Sequence, residues 1–130
     1  MNTINVIIER SNDMFSAYAE NVEGIYGGGD TIDEVKQSIE DSIELYKSYN
    51  KDLPAIIKGK YKLSYKFDTE SFIQFYKGIF TNAALERLTG INQKQIHHYA
   101  TGFKKPRPAQ AKKIEAAMHK LGSELMAVEL

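Results

Sequence analysis

TNAALERLTGINQKQIHHYATGFKKPRP, residues 81–108, is the stretch on which the organisation of this chain turns. Asn82 is a capping residue type in front of AALERL, and Thr89-Gly90 breaks that short segment. Asn92 opens a second one, NQKQIHHYA, with Gln95 three residues later in the capping-box position. Leu85, Leu88, Ile91 and Ile96 are the apolar positions expected to hold the two segments together. Two short helices joined by a three- to four-residue turn containing glycine are the helix-turn-helix arrangement.

The second helix of such a unit lies in the major groove with its N-terminal residues at base edges. Here Gln93, Lys94, His97 and His98 are expected on the side away from Ile96. Glutamine pairs bidentately with adenine, and lysine donates to guanine O6 and N7. Asn92, Gln93, Lys94, Gln95, His97 and His98 are therefore the candidate residues on the DNA side. TGFKKPRP ends the helix at Gly102 and offers Lys104, Lys105 and Arg107 at its exit, where cations meet phosphates and set register. Pro108 suits the first turn of a last helix, with Ile114, Ala117, Met118 and Leu121 inward and Lys112, Lys113 and Lys120 outward. Helical hairpins with a glycine turn also occur in proteins that never meet DNA. The coincidence of caps, apolar positions, polar face and basic exit favours the DNA-binding reading. His97 and His98 also read as ordinary surface histidines. With no third histidine or carboxylate in their helix, no metal site is expected there.

Upstream, Asp68 and Thr69 are capping types before TESFIQFYKGIF, whose Phe72, Phe75, Tyr76 and Ile79 read as a core-facing stripe. An all-helical domain is thus expected over residues 68–130, behind a different layer over 1–67. In that layer INVIIER (4–10) and FSAYAENV (15–22) flank Ser11, Asn12 and Asp13, the pattern of a β-hairpin. GIYGGGDT comes next. Its three glycines lack the spacing and strand context of a nucleotide-binding turn and read as a mobile or tightly bent connection. Thr31 and Glu34 form a T-x-x-E capping box, and Ile32, Val35, Ile39, Ile43 and Tyr46 then recur at helical steps. After a linker with Pro54 and Gly59, KYKLSYKF alternates Tyr61, Leu63, Tyr65 and Phe67 with Lys or Ser, predicting a third strand. The expected class is α+β: a β-β-α-β layer, then helices. The sheet face away from the helix needs a cover from a partner or a second copy.

Hydrophobic content of 42% and charged content of 26% are those of a globular protein. No apolar run approaches the ~20 residues of a membrane span, so no membrane partner is expected. The start, MNTINVIIERSND, lacks the features of a signal peptide, and there is no cysteine for a disulfide or thiolate site. A cytoplasmic location is expected. The zero net charge conceals a division. Residues 1–44 hold ten acids against two bases, a net −8, and residues 87–120 hold eight bases against one acid, a net +7. All three histidines, His97, His98 and His119, fall in the second window. Two surfaces of opposite sign point to two partners, one of them a polyanion.

VEGIYGGGDTIDEVKQSIEDSIELY (22–46) resembles the HicB antitoxin pattern of a strand, a glycine-containing loop, Gly29-Asp30-Thr31 and an amphipathic helix with an acidic first turn. GINQKQIHHYATGFKKPRP (90–108) resembles the Xre/Cro-type helix-turn-helix fused behind some HicB domains. The two domains these stretches imply would together cover most of the chain, in that order. The resemblance implies a partial RNase H-like front domain that lacks the metal-binding carboxylate set. It implies an antitoxin that binds and neutralises a small, basic, HicA-like mRNA-cleaving toxin and represses its own operon. DNA-binding units of this kind pair on two half-sites, so a homodimer or higher oligomer on inverted-repeat operator DNA is expected. No cofactor and no enzymatic activity are implied. Two other readings compete. One is a stand-alone helix-turn-helix regulator whose front half senses a ligand. The other is a metal-dependent nuclease using Asp30, Asp33, Glu34 or Glu40, acids that helix capping and a solvated face also explain.

Overall fold

Alternation in INVIIER becomes burial in strand β1 (Asn2–Arg10): Ile4, Val6 and Ile8 turn inward, and Asn5 and Glu9 stay in solvent. The computed structural model describes residues 1–130, a mixed α+β chain whose contacts divide it into two units, Met1–Ser71 and Phe72–Leu130. In the first unit β1 pairs antiparallel with β2 (Phe15–Ala19), which buries Phe15, Ala17 and Ala19 on the same side. Helix α1 (Ile32–Tyr49) covers that face with Val35, Ile39 and Ile43, all fully buried. Removing an aliphatic side chain of this size from water stabilises a fold by about 1.5–3 kcal/mol.

The triple glycine is not a mobile connection. It forms strand β3 (Tyr26–Gly29), paired antiparallel with β2 at the sheet edge, so the unit has one more strand than the β-β-α-β order expected. Glycine is required because α1 lies almost against the strand. A Cβ on Gly29 would sit 2.6 Å from Glu34 Cβ, and one on Gly27 would sit 3.0 Å from Ser38 Oγ. The helix also accepts hydrogen bonds from the edge. Tyr26 N–H donates to Ser42 Oγ at 3.3 Å, Gly28 N–H to Ser38 Oγ at 3.1 Å, and Asp30 N–H to Glu34 Oε2 at 2.7 Å. Alternate strand residues are ~6.7 Å apart. Every fourth helical residue is ~6 Å along its axis. The two ladders therefore match. Unpaired edge amides invite pairing with another chain, and these three are occupied. Thr31 Oγ1 caps the helix at Glu34 N–H, but the Glu34 carboxylate goes to Asp30 rather than to Thr31, so the expected capping box is shifted by one residue.

The opposite edge is β4 (Tyr61–Phe67), which runs parallel to β1 in the order β3-β2-β1-β4, after the short helix α2 (Ala55–Lys58). Tyr61, Leu63, Tyr65 and Phe67 pack half-buried against the core, and Lys62 and Lys66 face solvent. Lys36 lies over the Tyr65 ring at 5.1 Å and Lys47 over Tyr61 at 4.8 Å, joining α1 to this edge. Beyond β2, the Asn21 side chain continues the ladder: its Oδ1 accepts from Asn5 N–H and its Nδ2 donates to Thr3 O, both at 2.9 Å. Buried Ser71 closes the far end of β1, its Oγ accepting from Arg10 N–H at 2.7 Å.

The second unit is helical. Helix α3 (Thr69–Phe75) passes into a 3-10 turn at Tyr76–Gly78, succeeded by α4 (Asn82–Thr89), α5 (Gln93–Thr101) and α6 (Pro108–Met126). Its core is Ile73, Leu85, Ile91, Ile96, Tyr99, Ala100 and Ile114, with Phe72, Phe80 and Met118 packed around it. The expected stripe Phe72, Phe75, Tyr76 and Ile79 is only partly inward. The α-helix ends at Phe75 and the tighter turn rotates the next residues, so that Ile79 emerges 71% exposed while Ile73 is buried. Leu88 is likewise exposed rather than a contact between α4 and α5. No helix is long and apolar enough to cross a membrane.

Candidate nucleic-acid interface

Helix α4 is capped by Thr81, whose Oγ1 accepts from Ala84 N–H at 3.0 Å, and Asn82 becomes the first helical residue rather than the cap. It ends at Gly90, which takes the left-handed conformation (φ +77°, ψ 4°) that favours glycine because it carries no Cβ. Thr89 Oγ1 accepts from Ile91 N–H at 3.1 Å and donates back to Leu85 O, tightening the turn. Buried Ile91 pins the turn to the core, and Asn92 Oδ1 caps α5 by accepting from Lys94 N–H at 2.8 Å.

Gln95 does not complete a capping box. Its Nε2 donates instead to the Tyr99 hydroxyl at 3.1 Å, one turn along the helix. Glu86, on α4, reaches across the turn and accepts from Gln93 N–H at 3.3 Å. A carboxylate at a helix N-terminus is favourable both as a hydrogen-bond acceptor and against the dipole. Replacing Glu86 by alanine is therefore expected to lower stability by about 1 kcal/mol, read as a lower midpoint in thermal unfolding. An unchanged midpoint would show that the reach across the turn contributes nothing.

With Ile96, Tyr99 and Ala100 buried, α5 presents Gln93, Lys94, His97 and Thr101 to solvent, and Asn92 is exposed at its start. His98 departs from the expected set. It is half-buried, its ring lies 5.0 Å from that of Phe103, and its Nδ1 is buried without a hydrogen-bond partner. Its carbonyl accepts from Lys104 N–H at 3.2 Å, so His98 holds the loop after the helix rather than offering a free edge. Gly102 repeats the left-handed cap of Gly90, and Lys104, Lys105 and Arg107 come after it, all exposed. Residues 93–107 carry four cations and no acid. Amide, imidazole and ammonium groups at the start of a helix, with a cationic loop at its end, suit base edges and a phosphate backbone respectively.

Compared with known proteins, the chain matches no family model, no curated protein and no solved structure.

Three contributors escaped the sequence reading. Thr101 shares the exposed face of His97 one turn on, a spacing that was visible in the sequence. Phe103, 72% exposed between Gly102 and Lys104, stands in the basic loop. Glu86 acts through a contact between helices that no local pattern records. In the first unit, Asp33 and Glu40 are exposed and Glu34 is engaged with Asp30 N–H. No group of three or more His, Cys, Asp or Glu side chains is gathered to hold a metal ion.

Proposed function

We propose that this chain is a HicB-like antitoxin and autorepressor that binds operator DNA through a helix-turn-helix formed by α4 and α5. The observation that carries the reading is the start of α5: Gln93, Lys94 and His97 share one exposed face, and Lys104, Lys105 and Arg107 stand exposed at the loop after the helix. In this reading α5 enters the major groove, two copies of the chain bind an inverted repeat, and the front layer holds a small basic toxin in the cytoplasm. The sheet covered on one face by a single amphipathic helix and the net −8 of residues 1–44 support the front half of the proposal.

Two measurements address the two halves. Replacing Lys104, Lys105 and Arg107 by alanine is expected to weaken binding to all DNA sequences alike. The slope of log K against log salt should fall by about 2–3, near 0.9 per phosphate contact. A slope that stays put would remove these residues from the interface. For the antitoxin half, the product of the adjacent small reading frame is co-expressed with this chain. Growth arrest by the product alone, relieved by the chain, is the expected outcome. Arrest that persists beside folded protein would rule the antitoxin role out and leave a DNA-binding regulator.

A further inference from the structure

The sheet has a second face, turned away from α1. Strand register places Lys66, Ile7, Tyr18 and Tyr26 in one row across all four strands, since Ile7 pairs with Lys66 and Tyr18, and Tyr18 pairs with Tyr26. Ile7 is half-buried, Tyr18 is 37% exposed and Tyr26 is 66% exposed. Met14, also exposed, lies beside Gly28, next to this row, where a Cβ would meet its methyl group. Acids border the tyrosines. Glu9, paired with Ser16 two residues before Tyr18, and Glu20, two residues after it, share the face of Tyr18. Burial and then the charges of Glu9, Glu20 and Asp68 raise the Tyr18 hydroxyl above its ordinary pKa. Lys62 and Lys66 mark the β4 side of the same face.

Two tyrosines side by side, a flanking isoleucine and methionine, and a carboxylate border form the composition of an interaction hot spot. Aromatic anchors supply area at low entropy cost, and the charged rim selects the partner. The carboxylates beside the tyrosines repel nucleic acid. A face rich in lysine and arginine has the complementary sign. The geometry points to Tyr18 and Tyr26, bordered by Glu9, Glu20 and Asp68, as the surface that docks a basic protein partner. This rests on the antitoxin reading and names the toxin's contact site within it.

The test is binding of the full chain to the adjacent reading frame's product, measured by titration calorimetry or surface plasmon resonance. A Tyr18→Ala, Tyr26→Ala double variant is expected to bind about 100-fold more weakly or worse. Tyr49→Ala, which removes a tyrosine 80% exposed at the end of α1, should bind like wild type. Both side chains of the double variant are solvent-facing, so its thermal midpoint is expected to stay close to that of wild type. A Glu9→Lys, Glu20→Lys variant should also lose affinity and lose the salt dependence of binding. Wild-type binding matched by the double variant would overturn the surface and leave the antitoxin reading standing. Absence of wild-type binding would overturn both. If the chain alone sediments as an oligomer that the double variant dissolves, the face joins copies of this chain and the partner assignment fails.

Discussion

Replacing Gln93, Lys94 and His97 together by alanine is expected to erase preference for the operator while leaving general affinity for DNA. Each well-made base contact discriminates by about 1–3 kcal/mol. Three of them span much of the gap of about 4–10 kcal/mol between specific and non-specific binding. The ratio of operator to random-sequence affinity should therefore fall by about a thousand-fold or more. Lys104, Lys105 and Arg107 remain in the variant, so residual binding keeps its salt dependence. The three side chains are exposed and none makes the cap at the start of α5, which belongs to Asn92 and Glu86. The unfolding midpoint should consequently match wild type. Competition binding with operator and scrambled duplexes reads the result, and a preserved ratio would mean that α5 does not read bases.

The largest effect on stability is expected from Gly29→Ala. The added methyl would lie 2.6 Å from Glu34 Cβ and 3.2 Å from the Glu34 carbonyl carbon. Because the obstacle is the helix itself, rotation of a side chain cannot relieve the overlap. Either β3 leaves the sheet edge or α1 shifts, and the Glu34 bond to Asp30 N–H is disturbed in both cases. Overpacking of this kind costs about 1–3 kcal/mol. Gly59→Ala is the control, because a Cβ there meets nothing within 4 Å. Denaturant unfolding should show a clear drop in midpoint for the first and little change for the second. Equal midpoints would mean that β3 and α1 are not held at this separation. Gly28→Ala should fall between them, since the clash there is with the end of the flexible Met14 side chain.

Much of the fold was legible because its signals are local. The two- and four-residue repeats in INVIIER and in the Ile32–Tyr46 stretch fix strand and helix wherever they occur, and β1 and α1 form where those repeats run. The same holds for the breaks at Gly90 and Gly102, where a left-handed residue ends a helix. In the candidate interface, the exposure of Gln93, Lys94 and His97 results from the inward pull of Ile96, Tyr99 and Ala100. These features depend on residues within one or two turns of each other.

The features that the sequence did not disclose depend on residues distant along the chain or on opposite sides of a turn. GlyGlyGly has no side chains to show a period, so its strand became visible only when Ser38, Ser42 and Glu34 were seen alongside it. Glu86 meets the Gln93 amide only because the turn folds α5 back beside α4. His98 looked like a groove residue until Phe103 folded back upon its ring. Asn21 gave no sign that its amide would finish the ladder of β1. The sequence by itself determined β1, β2, β4 and the longer helices, where most of them start and stop, and how charge divides along the chain. The tertiary structure alone decided which glycines must stay glycine, which caps are shared between elements and which polar side chains remain free. Periodicity is a property of neighbours, whereas close approach is set only when separate segments pack.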